Sequence, residues 1–259
     1  MICLQLTRKR VGERELYRDF ELRLQPGELV CLLGPSGCGK TTLLNLLAGL
    51  DRQYEGTLSG LERARLGYLF QEPRLLPWRT VAENLALVAP QHADRIDGLL
   101  ADLELSGSGA CYPGQLSLGM ARRVALARCL MVEPQLLLLD EPFVSLDPPT
   151  ALAMQCVLQR VRQRFAATTV VMVSHDVRET LALADRVLVL GGAPTRVLRE
   201  LCPRRGAAAE GEQRAEEARQ LLAAYPLFTR TGTSTSIFQS VNESGEGGRF
   251  SRFLRSVHE

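Results

Sequence analysis

Lysine is almost missing from this sequence. The 259-residue chain has 31 lysines and arginines, yet only Lys9 and Lys40 are lysines. Such a bias is typical of proteins from GC-rich genomes. Because the chain so rarely uses lysine, Lys40 marks a position where that side chain serves a purpose.

An excess of charge and a long apolar run are also missing. The formal net charge is +2, which gives no general electrostatic reason to expect nucleic acid or an anionic membrane as a partner. No apolar run reaches the roughly 20 residues of a membrane-spanning helix, and the first 15 residues become charged too early for a signal peptide. We therefore expect any membrane role to depend on a partner, and we expect no nucleic-acid partner.

The seven cysteines form no C-x-x-C pair and show no metal-ligand spacing. Cys31 and Cys129 lie in apolar runs, which favours small core residues at both positions. A chain without a disulfide framework suits a reducing compartment, so we expect a cytoplasmic protein.

Four short apolar runs indicate a buried parallel sheet. They cover residues 28–34, 134–141, 168–176 and 185–192, and continuous apolar runs of this length are typical of parallel strands. Helical patterns at about 150–165 and 177–184 separate the last three runs. This alternation predicts an α/β domain with a parallel-sheet core.

The remaining segments suggest how the chain divides into domains. Residues from about 72 to 130 contain helices and loops without a strong strand, which predicts a helical subdomain inserted into an α/β domain of residues 1–200. Residues 201–259 form an extension that we expect to be partly helical and partly mobile. Apolar side chains near its end recur at helical spacing, so the extension is either a solvated tail or one that ends in a small docking helix.

A glycine-rich segment follows the first apolar run and matches G-x-x-x-x-G-K-[ST] in a strand–loop–helix context. In this pattern the loop N–H groups and the N-terminus of the next helix bind phosphate. Lys40 would contact the β- and γ-phosphates, and Thr41 would bind Mg²⁺. Cys38 is either a tolerated small residue or an oxidisable thiol. The predicted nucleotide contacts are Gly34, Pro35, Ser36, Gly37, Cys38, Gly39, Lys40, Thr41 and Thr42.

Polar side chains follow two of the later apolar runs. Asp140 ends the run at 134–141 and could hold Mg²⁺, while Glu141 could act as a general base toward the attacking water. His175 ends the run at 168–176, at the carboxyl edge where parallel sheets place ligands. A neutral imidazole there could donate to the γ-phosphate.

These motifs, in this order, resemble the nucleotide-binding subunit of ABC transporters over residues 1 to about 200. Residues 34–42 resemble Walker A, residues 136–141 resemble Walker B, and His175 resembles the switch histidine. Gln71 resembles the Q-loop glutamine, which touches Mg²⁺. The resemblance implies a P-loop NTPase fold with an N-terminal β-rich part, ATP and Mg²⁺ as cofactors, and ATP hydrolysis coupled to transport.

The segment Leu-Ser-Leu-Gly-Met at 116–120 occupies the place of the family's LSGGQ signature. The resemblance implies a head-to-tail dimer, in which Ser117, Gly119 and the D-loop residue Asp147 serve ATP bound by the second subunit. Leu118 replaces a glycine, which restricts φ unless the backbone there is already in an allowed region, and Met120 replaces a glutamine. We nevertheless expect a working signature.

Two further features of the sequence leave alternatives open. Arg122 and Arg123 follow the signature and either supplement its positive field or are simply solvated. Members of the family usually stack an aromatic ring on the adenine base, and the matching position here is about Val11. Because valine has no ring, we expect weaker ATP binding and poorer adenine selectivity. Tyr17 is nearby, but its strand pattern favours a core role.

Three segments, at residues 34–50, 71–85 and 136–147, resemble importer ATPases for nitrate, taurine and aliphatic sulfonates. This implies membrane permease subunits, which would contact the region of Gln71 to Trp78, and indirectly a periplasmic or lipoprotein solute-binding protein. The chain would then lie peripherally on the cytoplasmic face of a bacterial inner membrane. The alternatives are the ATPase of an MCE-type phospholipid-trafficking system and a weakly active partner in a heterodimer. A soluble ABC protein acting on DNA or ribosomes is disfavoured by the near-zero charge.

Overall fold

The computed structural model describes residues 1–62, 64–203, 216, 219–221 and 223–225. The strands of these residues are β1 (Ile2–Val11), β2 (Arg14–Leu24), β3 (Leu29–Leu33), β4 (Glu55–Ser59), β5 (Leu66–Leu69), β6 (Leu136–Asp140), β7 (Thr169–Ser174), β8 (Arg186–Gly191) and β9 (Arg196–Leu201). The α-helices are α1 (Lys40–Leu47), α2 (Val81–Ala86), α3 (Ile96–Asp102), α4 (Leu118–Leu130), α5 (Pro148–Arg164) and α6 (Val177–Leu183). Two 3₁₀ helices lie at Pro90–Arg95 and Pro113–Gln115.

The central sheet has the strand order β5-β6-β7-β3-β8-β9. All neighbouring pairs are parallel except β8 and β9. The four strands expected from the apolar runs are β3, β6, β7 and β8, so the predicted parallel core is confirmed. The sequence did not predict strand β5, because this strand is only four residues long and includes Gly67. A Cβ at Gly67 would lie 2.9 Å from the Cβ of Cys129, so glycine lets α4 approach this strand.

Each face of the central sheet carries its own hydrophobic core. Because side chains alternate along a strand, Val30 and Leu32 of β3 join one core, whereas Leu29, Cys31 and Leu33 join the other. The first core packs α1 between the central sheet and a second, antiparallel sheet of order β2-β1-β4. The second core contains residues of α2 to α6. Because α1 is buried between the two sheets, its position directly after the loop that follows β3 is fixed by packing.

Helices α2, α3 and α4 lie between β5 and β6, in the segment where the sequence predicted helices without strands. Thr80 caps α2 through a reciprocal pair of hydrogen bonds with Glu83. The fully buried Asn84 donates to the carbonyl groups of Leu76, Arg79 and Thr80. This amide therefore fixes the loop that presents Trp78, whose side chain is 70% exposed. The division of the chain into domains stays a prediction.

The C-terminal extension contributes to the second core where it is described. Leu221 is buried in the same cluster as α4, α5 and α6, and Tyr225 packs against that cluster. The suggested docking helix near 250–257 and the suggested mobile stretch at 229–248 lie outside the described residues. Within the part of the chain that is described, no helix has the length and apolarity needed to cross a bilayer.

Candidate nucleotide-binding site

The phosphate-loop residues connect β3 to α1 in the predicted strand–loop–helix arrangement. Gly37 and Gly39 have φ values of 76° and 102°, in the left-handed region that favours glycine. A Cβ at Gly39 would lie 2.9 Å from both the Leu16 Cδ2 and the Tyr17 Oη atoms. The loop therefore needs glycine at this position both for its backbone turn and for its packing against β2.

Lys40 is buried beside neutral acceptors. Its Nζ donates to the carbonyl oxygens of Gly34 at 2.7 Å and Pro35 at 3.1 Å, and no carboxylate of the described residues forms an ion pair with it. By contrast, Lys9 is held by Asp51, with 2.6 Å between Nζ and Oδ2. A buried ammonium that lacks an anion is well suited to take a phosphate, so the loop fits a nucleoside triphosphate.

Thr41 and Asp140 form the candidate magnesium site. The Thr41 hydroxyl donates to Asp140 Oδ1 at 3.2 Å, which joins the start of α1 to the end of β6. Burial raises the pKa of Asp140, and the neighbouring charge of Glu141 adds to the rise. A hydroxyl and a carboxylate are the oxygen donors that Mg²⁺ uses together with substrate phosphates, so these residues fit that ion.

Glu141 and His175 meet across the carboxyl edges of β6 and β7. The His175 Nδ1 atom lies 3.4 Å from Glu141 Oε2. Their hydrogen bond is the main cause that lowers the pKa of Glu141 and raises the pKa of His175. Glu141 also has φ of 48°, a strained value for a non-glycine residue of the kind that clusters at active sites. The pair can thus hold an ionised base at this edge.

A further carboxyl group, which the sequence analysis did not identify, lies behind this pair. Glu179 of α6 accepts a hydrogen bond from the Ser174 hydroxyl at 3.1 Å. Burial, followed by the charge of Asp176, raises the pKa of Glu179 to about 7. Its position four residues after His175, on a helix that begins at the sheet edge, was the available signal.

A cavity of about 310 Å³ opens beside the phosphate loop. Val11, Arg14 and Leu16 line the side contributed by β1 and β2. Arg14 donates to the carbonyl oxygen of Gly37 at 3.2 Å, whereas Tyr17 is fully buried in the first core, as its strand pattern indicated. The cavity is also lined by Ser36, Gly37, Gly39, Lys40, Thr41, Thr42 and Glu141. Val11 therefore lies beside the phosphate loop; its correspondence to the adenine-stacking position stays a prediction.

Gln71 lies in a second, larger opening that also reaches the candidate magnesium site. The cleft has a volume of about 730 Å³, and Gln71, Thr41 and Asp140 are among its lining residues. Thr41 is the residue that this cleft shares with the cavity at Lys40. The structure thus brings the predicted Q-loop glutamine to the same opening as the predicted metal ligands.

The signature segment begins a regular helix. Ser117 caps α4 by accepting a hydrogen bond from the Met120 N–H at 3.2 Å, so the helix begins at Leu118. Leu118 is absent from the residues with positive φ; its backbone conformation therefore does not require glycine. Gly119 is different, because a Cβ there would lie 2.4 Å from Thr150 Cγ2. The departure at position 118 therefore causes no backbone strain.

The predicted D-loop residue packs beside the signature. Asp147 caps α5 by accepting a hydrogen bond from the Thr150 N–H at 3.2 Å, and Thr150 in turn contacts Gly119. Ser117, Gly119 and Asp147 do not line the cavity at Lys40. Leu118, between the first two, instead lines the larger cleft.

The two arginines after the signature differ in environment. Arg123 forms an ion pair with Glu104, with 3.1 Å between Nη1 and Oε2. Arg122 is buried, with 3% exposure, so of the two alternatives the solvated one does not apply to this residue. Cys38 is also buried, and burial raises the pKa of its thiol, which favours the role of a tolerated small residue over that of a reactive one.

Known proteins share this fold and sequence. The ABC transporter family matches residues 17–144. The aliphatic sulfonates import ATP-binding protein SsuB 1 of Pseudomonas aeruginosa is 46% identical over 77% of this chain and 86% of its own length. The SsuB 1 protein of Xanthomonas axonopodis pv. citri is 44% identical over 74% of this chain and 81% of its own length.

Solved structures agree with these sequence relatives. The dimeric structure of MJ0796, a bacterial ABC transporter cassette, matches with a TM-score of 0.67 and 28% identity, covering 80% of this chain and all of the cassette. A post-hydrolysis state of the same cassette, dimeric and bound to ADP and Pi, matches equally well. The sequence relatives and the solved cassettes thus show that the chain belongs to the ABC transporter family as an ATP-binding, ATP-hydrolysing subunit.

Proposed function

We propose that this chain powers the import of aliphatic sulfonates by binding and hydrolysing ATP beneath a membrane permease. The observation that carries the ATPase role is the convergence of Lys40, the Thr41–Asp140 pair and the Glu141–His175 pair at one sheet edge. The sulfonate assignment rests on the relatives that carry that name. Nitrate- and taurine-type solutes belong to the same expected group of small anions.

We assign each of these side chains a separate role in ATP hydrolysis. Lys40 and the loop N–H groups bind the β- and γ-phosphates, which holds the terminal phosphate in place. Thr41 and Asp140, with Gln71 in the adjoining cleft, would hold Mg²⁺, which neutralises phosphate charge when bound. Glu141 orients the attacking water and accepts its proton. His175 positions Glu141 and donates toward the γ-phosphate.

The partners follow from the grouping of the signature and D-loop residues. A second ATPase subunit in head-to-tail orientation would bring its Ser117, Gly119 and Asp147 to the ATP held at Lys40. A permease would contact the loop of Trp78, which Asn84 fixes from behind. A periplasmic or lipoprotein solute-binding protein would act through the permease, which places this chain on the cytoplasmic face of a bacterial inner membrane.

The two alternatives have less support. The phospholipid-trafficking role has no relative named for it among the proteins compared above. A catalytically weak partner in a heterodimer would not need an intact Lys40, Asp140, Glu141 and His175, all of which this chain has.

Transport in proteoliposomes tests the proposal. The chain and its permease, supplied with ATP inside the vesicles and the solute-binding protein outside, should drive uptake of a radiolabelled alkanesulfonate. Lys40→Ala, which removes the phosphate-binding charge, is the matched control and should abolish uptake. ATP hydrolysis without sulfonate uptake, together with uptake of nitrate or movement of phospholipid, would reject the sulfonate assignment.

A further inference from the structure

Arg122 is a buried cation for which the described residues supply no anionic partner. Its side chain is 3% exposed, and its Nη1 atom donates only a long hydrogen bond, 3.5 Å, to the Pro142 carbonyl oxygen. Its Nε atom is buried without a hydrogen-bond partner in the described residues, and no carboxylate among them forms an ion pair with it. Arg123, the next residue, is paired with Glu104.

Without a ligand, the unpaired guanidinium of Arg122 lowers the free energy of unfolding of the chain. A buried charge is costly unless it is paired and hydrogen-bonded, and burial lowers the pKa of this guanidinium. Buried polar groups that remain unsatisfied call for a specific explanation. A ligand that supplies the missing anion would account for the retention of arginine here.

The position of Arg122 indicates where that anion would come from. Arg122 lines the cleft of about 730 Å³ that also includes Thr41, Asp140 and Gln71. Thr41 borders both this cleft and the cavity at Lys40. The cleft therefore starts at the end of the site where the terminal phosphate is expected and leads toward α4.

A second cation, Arg74, is held in the same cleft. Its guanidinium lies 4.0 Å from the centre of the Phe70 ring, which stacks on Tyr68 with 4.0 Å between ring centres. Arg128 donates to the carbonyl oxygens of Arg74 at 2.8 Å and Pro73 at 3.0 Å. These contacts fix the backbone and the side chain of Arg74 before any ligand arrives.

We propose that Arg122, together with Arg74, binds the inorganic phosphate that hydrolysis releases, and that this cleft is the route by which phosphate leaves. The inference rests on the proposed ATP hydrolysis. A water oxygen bonds to the γ-phosphorus, the bond to the bridging oxygen breaks, ADP keeps that oxygen, and Glu141 takes the water proton. A guanidinium matches the geometry of a phosphate oxyanion. Asp140 and Glu72 also line the cleft, and the charge of their carboxylates would repel phosphate and favour its release.

Product inhibition separates this role from nucleotide binding. In Arg122→Gln we expect the inhibition constant for inorganic phosphate to rise at least fivefold, while the inhibition constant for ADP changes less than twofold. The melting temperature of the nucleotide-free variant should stay the same or rise, because an unpaired buried charge has been removed. Arg123→Gln is the matched control on the same helix and should keep the phosphate inhibition of the unmodified chain.

Direct binding gives a second readout. Titration of inorganic phosphate onto the ADP-bound chain, followed by ³¹P line broadening, should show binding to the unmodified protein and weaker binding to Arg122→Gln. If that variant does not fold, Arg122→Lys keeps the charge without the planar fork and should weaken phosphate binding by a smaller factor. Equal phosphate constants in all variants would overturn the proposal, as would a matching loss of ATP and ADP affinity. An unmodified chain that binds phosphate at Arg122 but hydrolyses no ATP would reject the proposed function instead.

Discussion

The Nδ1 atom of His175 lies 3.4 Å from Oε2 of Glu141, so the ends of β7 and β6 are joined through the two side chains to which we assign the hydrolysis chemistry. This contact keeps the proposed base ionised and holds the imidazole beside it. It also makes the charge of His175 a measurable reporter of the site.

We predict that His175 titrates above its ordinary value of 6.5, because the hydrogen bond with Glu141 raises its pKa. Because the same contact lowers the pKa of Glu141 from its ordinary 4.5, the stabilisation from this pair is fully present between about pH 4.5 and 6.5. It is lost as the pH rises through the pKa of His175, or falls through the pKa of Glu141, in the folded chain. NMR titration of the His175 imidazole in the nucleotide-free chain measures this pKa. In Glu141→Gln the pKa should fall toward 6.5; an unchanged pKa would show that the contact is absent in solution.

We predict that Glu179→Gln changes the pH dependence of stability. The pKa of Glu179 is raised to about 7, so the folded chain holds a proton that the unfolded chain releases near pH 4.5. Stability contributed by this group is therefore present at low pH and is lost between about pH 4.5 and 7. One pKa unit corresponds to about 1.4 kcal/mol, so the shift from 4.5 to about 7 sets an upper bound of roughly 3.5 kcal/mol. Solvent screening of this partly exposed group reduces the loss to the order of 2 kcal/mol.

Urea unfolding of the unmodified chain and of Glu179→Gln at several pH values between 4.5 and 7.5 measures this effect. Relative to Glu179→Gln, the unmodified chain should lose unfolding free energy as the pH rises from 4.5 to 7. Parallel curves would contradict the assignment of a raised pKa to Glu179.

Val11→Tyr should strengthen ATP binding. Val11 is 53% exposed and lines the cavity at Lys40, where a ring could stack on the base. Base stacking on aromatic side chains contributes about 1–3 kcal/mol, so the dissociation constant for ATP should fall by roughly five- to a hundredfold. Fluorescence titration with ATP, GTP and tripolyphosphate checks this. A similar gain for tripolyphosphate, which has no base, would place the new contact elsewhere.

The signature should tolerate restoration of the family residues. Leu118 has no need of glycine's conformational freedom, so Leu118→Gly together with Met120→Gln should leave the ATPase rate within about tenfold, or roughly 1.4 kcal/mol in barrier. Gly119→Ala should be far more damaging, because its Cβ would meet Thr150 Cγ2 at 2.4 Å. Steady-state ATPase rates of both variants measure this contrast. A large gain in the double variant would show that the native loop is impaired.

The sequence predicted much of this structure because its strongest patterns are local. The apolar runs of β3, β6, β7 and β8 and the complete phosphate-loop motif identified the sheet and the site around Lys40. Features that depend on distant packing were not predictable. The burial of Arg122 requires α4 to meet the loop after β6, and Gly67 permits β5 only because α4 lies against it.

We propose that Glu141 drives ATP hydrolysis in a site completed by a second copy of the chain. Size-exclusion chromatography with light scattering, combined with ATPase assays, compares the unmodified chain with Glu141→Gln in the presence of ATP and Mg²⁺. We predict that Glu141→Gln loses at least a hundredfold in rate, since general bases contribute about 10²- to 10⁴-fold, and accumulates as an ATP-bound dimer. Hydrolysis at an unchanged rate, or a variant that stays monomeric with ATP bound, would contradict it.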